Sequence, residues 1–273
     1  MRIALLVCIM EIVRWCDMRI LGIDLGSRAV KVAVFEDNKF FYTKIYDTAT
    51  FYRDYCKNEN NTIKVDLSKL EIDNIEKVIS TGYGRNNINV SNAEIITELK
   101  AHTFGALWQT GLTDFTLLDI GGQDSKVISV KSSRMVDMVL NDKCAASCGR
   151  YLENMANVIG ISIEEMKKHY NDPVELSSTC AVFGESELIG RISEGYRQEQ
   201  LAAGVNYSLY KRIKPIIARF PAQHLILTGG VANNEALRHF IRSDLGWGDI
   251  VVPENPQFNG AIGCCAYYLK GII

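Results

Sequence analysis

Two cysteines four residues apart, Cys144 and Cys148, lie in the segment NDKCAASCGR, just before an apolar helical pattern. A third cysteine, Cys180, stands in SSTCAVFGESE and also precedes a predicted helix. Thiolates bind iron, zinc and Cu(I), and the partial positive charge at a helix N-terminus stabilises them. These three cysteines are therefore candidates for redox or metal chemistry. The alternative is a set of buried, unreactive thiols.

Glycine-rich turns after apolar strands form a second group of candidate residues. They are Gly26-Ser27, Gly121-Gly122-Gln123-Asp124 and Thr228-Gly229-Gly230-Val231. Because glycine has no Cβ atom, its backbone N–H groups can approach phosphate oxygens. One such turn could equally close a hairpin, but three together predict a triphosphate site, with Mg²⁺ on strand-end carboxylates such as Asp24 and Asp119. The P-loop and G-x-G-x-x-G patterns are missing, which argues against a P-loop NTPase and against NAD.

An internal repeat relates two of these turns. GIDLGSRAVKV (22–32) matches LLDIGGQDSKV (117–127) at one offset of 95 residues, which pairs Asp24 with Asp119 and Lys31 with Lys126. Each copy reads as a β-hairpin with the aspartate at the end of its first strand. Since the period is as long as a domain, it predicts two similar α/β halves with a ligand-binding cleft between them.

The remaining pattern alternates strands with helices and predicts an α/β fold, with a largely parallel sheet and antiparallel hairpin edges. Beyond the two hairpins, strands are predicted at 39–46, 76–81, 224–230 and 249–252. Helices are predicted at 93–109, 145–159, 162–169, 185–194, 197–219, 233–245 and 259–270.

Composition and charge narrow the class of protein. The chain has 273 residues and a net charge of −2, so no strong electrostatic attraction to nucleic acid or an anionic membrane is expected. Its eight cysteines are too few for a disulfide scaffold, and they lack the C-x-x-C pairs of a zinc module. This favours a reduced, cytoplasmic protein in which five cysteines serve as small hydrophobic residues: Cys8, Cys16, Cys56, Cys264 and Cys265.

Residues 1–17 are predicted to be a peripheral N-terminal extension. Their apolar run is interrupted by Glu11 and Arg14, is too short to span a bilayer and lacks a signal-peptide cleavage site. Met18 then opens MRILGIDLGS, which reads like a natural start.

Seven stretches together resemble one family. GIDLGS, STGYGR, DIGGQDSKVI, NDKCAASCGR, SSTCAVFGESE, TGGVANN and NPQFNGAIG occur in order and cover nearly all of the chain after Met18. They are similar to the activators of 2-hydroxyacyl-CoA dehydratases, in the BadF/BadG/BcrA/BcrD ATPase family of the sugar kinase/Hsp70/actin superfamily. The resemblance implies an α/β fold with two ribonuclease-H-like halves, at 18–112 and 113–273, and an ATP cleft between them.

The resemblance also implies a homodimer with one [4Fe-4S] cluster at its interface, held by Cys144 and Cys180 of each chain. Physical reasoning agrees, because a cubane needs four thiolates and two-fold symmetry turns two ligands into four. Cys148 departs from the family pattern. It lies one helical turn after Cys144 and is predicted not to be a ligand.

For the nucleotide, the resemblance implies MgATP, with Asp24 and Asp119 holding Mg²⁺ indirectly. Gln123 either positions the attacking water or touches a phosphate. Asp124 either joins the Mg²⁺ site, caps a backbone group or pairs with Lys126. Arg28 and Val30 depart from the family's first phosphate turn, and Ala101 replaces a family cysteine. The residues assigned to the nucleotide are Asp24, Gly26, Ser27, Arg28, Ala29, Val30, Lys31, Asp119, Gly121, Gly122, Gln123, Gly229, Gly230, Val231, Asn233 and Gln257.

The implied function is an ATPase that couples nucleotide to low-potential electron transfer. It would receive one electron from ferredoxin or flavodoxin and pass it to an iron–sulfur dehydratase or a related CoA reductase, with no nucleic acid or membrane as partner. One alternative is a small-molecule (sugar) kinase of the same superfamily without a cluster, although the sequence holds no clear sugar-site signature. Another is an ATP-dependent sensor in which the cluster acts as a switch.

Overall fold

The computed structural model of the chain describes residues 19–37, 39–59, 62–141, 147–178 and 180–272. The predicted extension at residues 1–17, with Cys8 and Cys16, lies outside these residues, and so does Cys144.

Strands and helices are distributed over the chain in a strand-rich first part and a helix-rich second part. The strands are β1 (Arg19–Leu25), β2 (Ala29–Glu36), β3 (Lys39–Asp47), β4 (Cys56–Glu59), β5 (Thr62–Val65), β6 (Ile75–Thr81), β7 (Ile88–Val90), β8 (Ala93–Ile95), β9 (Phe115–Ile120), β10 (Ser125–Lys131), β11 (Arg134–Asn141), β12 (His224–Thr228) and β13 (Asp249–Val251). The α-helices are α1 (Thr48–Tyr55), α2 (Glu98–Thr110), α3 (Gly149–Ile159), α4 (Ile163–Met166), α5 (Ala181–Ser193), α6 (Gln198–Ile217), α7 (Glu235–Leu245) and α8 (Asn259–Ile272).

Two five-stranded sheets have the same topology. The first has the strand order β3-β2-β1-β6-β8 and the second has the order β11-β10-β9-β12-β13. In each sheet the first three strands in this order are antiparallel to their neighbours. The fourth strand pairs in parallel with the third, and the fifth pairs in parallel with the fourth. The prediction of two similar α/β halves from the 95-residue repeat is confirmed, and each half carries the predicted hairpin.

The described residues of the first half lie within 19–108 and 258–272. Helix α8 packs on β1, β2 and β6, and its cysteines Cys264 and Cys265 are buried in the core there. Gly22 allows this contact, because a Cβ atom at Gly22 would lie 2.1 Å from the carbonyl oxygen of Ala261. The sequence interpretation placed this last helix in the second half. The structure assigns it to the first, since the helix buries its apolar face on the first sheet.

The second half consists of Gln109–Gln257. Its core forms where helices α3, α5, α6 and α7 pack on one another and on the second sheet. Helix α6 supplies the largest set of buried side chains from one element, because apolar and small residues recur along its length: Leu201, Ala202, Ala203, Val205, Leu209, Tyr210, Ile213 and Ile217.

Several predicted elements differ from those observed. Residues 93–95 form strand β8 rather than the start of a helix, because they pair in parallel with β6. Helix α2 therefore begins only at Glu98, and helix α5 begins at Ala181, four residues earlier than predicted. The sequence reading also missed helix α1, strand β11 and a small sheet of order β4-β5-β7.

None of the helices in the described ranges combines the length and apolar composition needed to cross a membrane.

Candidate functional site

The hairpin of the first half brings Asp24 and Lys31 together. Asp24 lies at the end of β1 opposite Lys31 of β2, and Lys31 Nζ is 3.5 Å from Asp24 Oδ2. The carboxylate is buried, so the ammonium offsets part of the cost of removing it from water. The beginning of helix α8 also approaches this carboxylate, because a Cβ atom at Gly260 would lie 2.9 Å from Asp24 Oδ2. A helix N-terminus favours a negative charge.

The turn Gly26–Arg28 joins β1 to β2. The carbonyl oxygen of Gly26 accepts a hydrogen bond of 2.8 Å from Thr48 Oγ1. Arg28 Nη1 lies 3.4 Å from Asp47 Oδ2. Ser27 and Arg28 are exposed, as a ligand-facing turn requires. Val30, in contrast, has its side chain in the apolar core of the first half, so only its backbone is available to a ligand.

The hairpin of the second half repeats the arrangement with an additional carboxylate. Asp119 lies at the end of β9 opposite Lys126, whose ammonium is 3.8 Å from Asp119 Oδ2 and 2.5 Å from Asp124 Oδ2. Of the roles considered for Asp124, pairing with Lys126 is therefore present. Thr228 Oγ1 donates to Asp119 Oδ1 at 2.8 Å. Gln123 is exposed in the turn between the strands.

The third glycine turn follows β12 in the same half. Gly229 has φ = +85°, and a Cβ atom there would lie 2.2 Å from the carbonyl oxygen of Ile120, so the turn packs tightly on the end of β9. Gly230 is exposed, and a Cβ atom there would come no nearer than 4.0 Å to Gln257 Nε2. Thus Gln257 lies beside this turn. Asn233 is exposed just after it, while Val231 is buried.

Cys180 is an exposed thiol at the start of helix α5, where it occupies the N-cap position. The backbone N–H groups of Phe183 and Val182 face the thiol and lower its pKa. A lowered pKa increases the thiolate fraction, and the thiolate is the form that binds iron. Cys180 thus has the exposure and electrostatics that a cluster ligand needs.

Cys148 lies in the opposite environment. It is fully buried at the N-cap position of helix α3, and burial raises the pKa of its thiol. Within the described ranges, the structure contains no group of three or more His, Cys, Asp and Glu side chains placed to hold a metal ion. The ligand set predicted from sequence includes Cys144, which falls outside those ranges.

Glu187 fixes the loop that leads to Cys180. Its carboxylate accepts hydrogen bonds from the backbone N–H groups of Ser177 and Ser178, at 2.8 and 2.9 Å, and from Ser177 Oγ at 2.9 Å. Burial alone would raise the pKa of Glu187, but these hydrogen bonds together lower it to about 2. The last glutamate of SSTCAVFGESE therefore holds the first residues of the same motif.

Sequence reasoning included Thr228 in the third glycine turn but did not link it to Asp119, and it assigned no role to Glu187 or Gly260. A second internal match could have shown the importance of Thr228, since VISTGYG (78–84) and LILTGGV (225–231) align at an offset of 147 residues. It pairs Thr81 with Thr228 and Gly82 with Gly229. No comparable signal exists for Gly260, because its approach to Asp24 depends on where helix α8 packs.

Comparison with known proteins gives relatives along almost the whole chain. The 2-hydroxyisocaproyl-CoA dehydratase activator of Clostridioides difficile is 33% identical over 258 residues, which are 92% of this chain and 94% of that protein. The (R)-2-hydroxyglutaryl-CoA dehydratase activating ATPase of Acidaminococcus fermentans is 33% identical over 259 residues, covering 92% of this chain and 96% of that one.

Solved structures agree with these relatives. The activator of the 2-hydroxyisocaproyl-CoA dehydratase from Clostridium difficile with bound ADPNP superimposes with a TM-score of 0.79 at 30% identity, over 93% of this chain and 95% of that chain. A ROK family glucokinase from Streptomyces griseus, at 11% identity and a TM-score of 0.54, covers 91% of this chain and 98% of its own. It shares the fold alone, which is the α/β fold of the actin/Hsp70/sugar kinase ATPases.

A family model also matches the chain. The profile of the BadF/BadG/BcrA/BcrD ATPase family matches residues 21–267, which include both hairpins, the third glycine turn and Cys180. The chain belongs to the BadF/BadG/BcrA/BcrD ATPase family.

Proposed function

We propose that the chain is an ATP-dependent one-electron donor that acts in the cytoplasm. It would activate a partner iron–sulfur enzyme, either a 2-hydroxyacyl-CoA dehydratase or a related CoA reductase. The observation that carries this proposal is Cys180, an exposed thiol of lowered pKa in a family whose named relatives activate dehydratases. A purely structural thiol is expected to resemble Cys148, which is buried and has a raised pKa.

Cys144 and Cys180 of two copies would hold one [4Fe-4S] cluster, which supplies one-electron chemistry when bound. Helix α5 supports such a dimer. Val182 and Phe183, the second and third residues after Cys180 in the chain, are 71% and 70% exposed, and Ile189 on the same helix is also exposed. Apolar side chains grouped in this way mark interaction surfaces. A second copy placed over them would bury the surface around Cys180 and bring a second pair of thiols to it.

The glycine turns and hairpins would bind MgATP. Backbone N–H groups at Gly26, Gly122 and Gly230 would bind phosphate oxygens, and Asp24 and Asp119 would hold Mg²⁺ through water. Lys31 and Lys126 are already held in ion pairs, so each is oriented before a phosphate arrives. In hydrolysis, a water oxygen bonds to the γ-phosphorus while the bridging bond to ADP breaks. The exposed side chain of Gln123 would position that water.

Nucleotide hydrolysis would be coupled to electron delivery. The chain would accept one electron from ferredoxin or flavodoxin and pass it to the partner. ATP would shift the dimer between two states to the extent that it binds one of them more tightly.

Anaerobic purification tests the proposal. The expected product is a brown dimer with a broad iron–sulfur absorption band that dithionite bleaches. It should hydrolyse ATP and reduce an iron–sulfur dehydratase only when ATP is present. A colourless monomer that phosphorylates a sugar would instead support the kinase alternative.

A further inference from the structure

Thr228 and Asp119 form a buried hydrogen-bonded pair in the second half. They lie side by side at the ends of the parallel strands β12 and β9, and Thr228 Oγ1 donates to Asp119 Oδ1 at 2.8 Å. Thr228 is fully buried and Asp119 is 2% exposed. A hydroxyl that donates to a carboxylate forms a charge-assisted bond, which is stronger than one between neutral groups.

Thr81 is the structural equivalent of Thr228 in the first half. It ends the parallel strand β6 beside Asp24, and each threonine is followed by a glycine of positive φ, Gly82 at +98° and Gly229 at +85°. Thr81 is also fully buried, yet its hydroxyl donates to the carbonyl oxygen of Ile96 at 3.0 Å. The two halves therefore share a backbone framework but use this hydroxyl differently.

The hydrogen bond from Thr228 fixes one side of the Asp119 carboxylate. Asp119 Oδ1 accepts the hydrogen bond from Thr228, and Asp119 Oδ2 is the oxygen nearer to Lys126 Nζ. The same ammonium also pairs with Asp124. Thr228, Asp119, Lys126 and Asp124 thus form a connected chain across three strand ends. Carboxylates that bind a hydrated metal ion depend on such partners, because the partners hold the oxygens in one orientation.

We propose that Thr228 is a positioning residue for nucleotide hydrolysis, which holds Asp119 in the orientation that receives the hydrated Mg²⁺ of MgATP. This proposal rests on the proposed ATPase function. The carboxylate whose orientation is fixed for Mg²⁺ is Asp119, which lies in the second half. In the first half, Asp24 is held by Lys31 and the start of α8 instead.

Three variants of the full chain test this role: Thr228→Val, Thr228→Ser and the matched control Thr81→Val. ATP hydrolysis is measured as a function of Mg²⁺ concentration. For Thr228→Val we expect kcat to fall about 10- to 100-fold and the half-saturating Mg²⁺ concentration to rise, with KM for ATP changing less. Thr228→Ser keeps the hydroxyl and should retain the Mg²⁺ dependence of the wild type. Thr81→Val loses a buried hydrogen bond, so it should unfold at a lower temperature but keep that dependence.

A second readout does not require turnover. The increase in unfolding temperature caused by ADP is measured with Mg²⁺ and with EDTA. Thr228→Val should lose the Mg²⁺-dependent part of this increase, and Thr228→Ser and Thr81→Val should keep it. An unchanged Mg²⁺ dependence in Thr228→Val would overturn the proposal, and so would a Thr228→Ser variant that loses it. A wild type that neither hydrolyses ATP nor is stabilised by MgADP would overturn the proposed function itself.

Discussion

The backbone N–H of Gly149 donates to the carbonyl oxygen of Gly121 at 2.9 Å, so helix α3 begins directly on the glycine turn of the second hairpin. The next residue continues the contact, since the N–H of Arg150 donates to the carbonyl oxygen of Gly122 at 3.0 Å. In the sequence, this helix follows Cys144 and Cys148. A displacement of the turn by a bound phosphate would therefore reach the helix that follows the cysteine segment through two hydrogen bonds.

Gly149→Ala should weaken this contact. A Cβ atom at position 149 would lie 3.2 Å from the carbonyl oxygen of Gly121 and 3.4 Å from Val231 Cγ2, so the turn or the helix must move by a few tenths of an ångström. We expect nucleotide affinity to fall by about threefold to tenfold, which corresponds to about 1 kcal/mol. Titration with a fluorescent ADP analogue measures this change.

Gly190→Ala is the matched control, because Gly190 lies in helix α5 and a Cβ atom there meets no atom within 4 Å. Replacing a helical glycine by alanine should stabilise the protein by about 0.5–1 kcal/mol and leave nucleotide affinity unchanged. If Gly149→Ala bound nucleotide as tightly as the wild type, the movement forced by the added Cβ atom would not affect nucleotide binding, and the prediction would be wrong.

The adjacent glycines of the third turn should respond differently to alanine. At Gly229, φ is +85° and a Cβ atom would overlap the carbonyl oxygen of Ile120, so Gly229→Ala should destabilise the fold by at least about 2 kcal/mol. At Gly230 the space is open, so Gly230→Ala should change the free energy of unfolding by less than about 0.5 kcal/mol. Urea unfolding of both variants checks this, and similar losses would contradict the assigned backbone geometry.

The sequence predicted the features that depend on local pattern. Asp24 and Asp119 occupy equivalent strand ends because the hairpin signal, an apolar run followed by glycine and a β-rich run, is contained in eleven consecutive residues of each copy. The small sheet was missed because strands such as CKNE (56–59) and INV (88–90) are short, and CKNE is mostly polar and exposed. Such strands form because they pair with other segments of the chain, and their own sequences are too short or too polar to predict them.

The candidate site was predictable only in part, for the same reason. Glycine turns and cysteines can be recognised by type, whereas the hydrogen bond from Thr228 to Asp119 joins residues 109 positions apart. The approach of Gly260 to Asp24 likewise depends on helix α8 packing on the first sheet. The internal match around Thr228 marks this residue but not its partner Asp119, and no residue pattern marks the approach of Gly260 to Asp24.

Glu187 should make stability depend on pH in the acid range. Its pKa is lowered from 4.5 to about 2 in the folded protein, so the unfolded state binds the proton more readily. The stabilisation is therefore fully present above about pH 5 and is lost as pH falls from about 4.5 toward 2. Since the side chain is partly exposed, we expect Glu187→Gln to cost about 1–2 kcal/mol at pH 7 and roughly half as much or less at pH 3.

Urea unfolding of the wild type and Glu187→Gln between pH 3 and 7 measures this difference. Glu185→Gln, at an exposed position of the same helix, controls for the loss of one negative charge. A difference between Glu187→Gln and wild type that stays constant over this pH range would exclude the ionised carboxylate as its source.

Phe183 should contribute to dimerisation. The side chain is 70% exposed at the start of helix α5, three residues after Cys180. If a second copy covers it, Phe183→Ser removes one buried aromatic side chain from each subunit and should weaken the dimer about 10- to 100-fold. Sedimentation velocity measures the dissociation constant. Phe41→Ser changes a side chain that is 52% exposed on strand β3, in the first half, and should leave the dimer unaffected.

The last prediction concerns the cluster ligands. Cys144→Ala and Cys180→Ala should each abolish the cluster and electron transfer, because one substitution in a symmetric dimer removes two of four thiolates. Cys148→Ala should keep both, since the Cys148 thiol is fully buried and burial raises its pKa. Nucleotide binding should survive in all three variants, because the hairpin turns do not depend on iron.

Iron content, the anaerobic visible spectrum and ADP binding of the three variants decide between this ligand set and another. Cys148 is the residue best placed to contradict it, as it lies four positions after Cys144 and at the start of helix α3. If Cys148→Ala loses iron while Cys180→Ala keeps it, the exposed thiol of α5 is not a ligand. The cluster would then be bound by the Cys144–Cys148 segment of each chain, and the thiol of Cys148 would have to leave its buried position to bind iron.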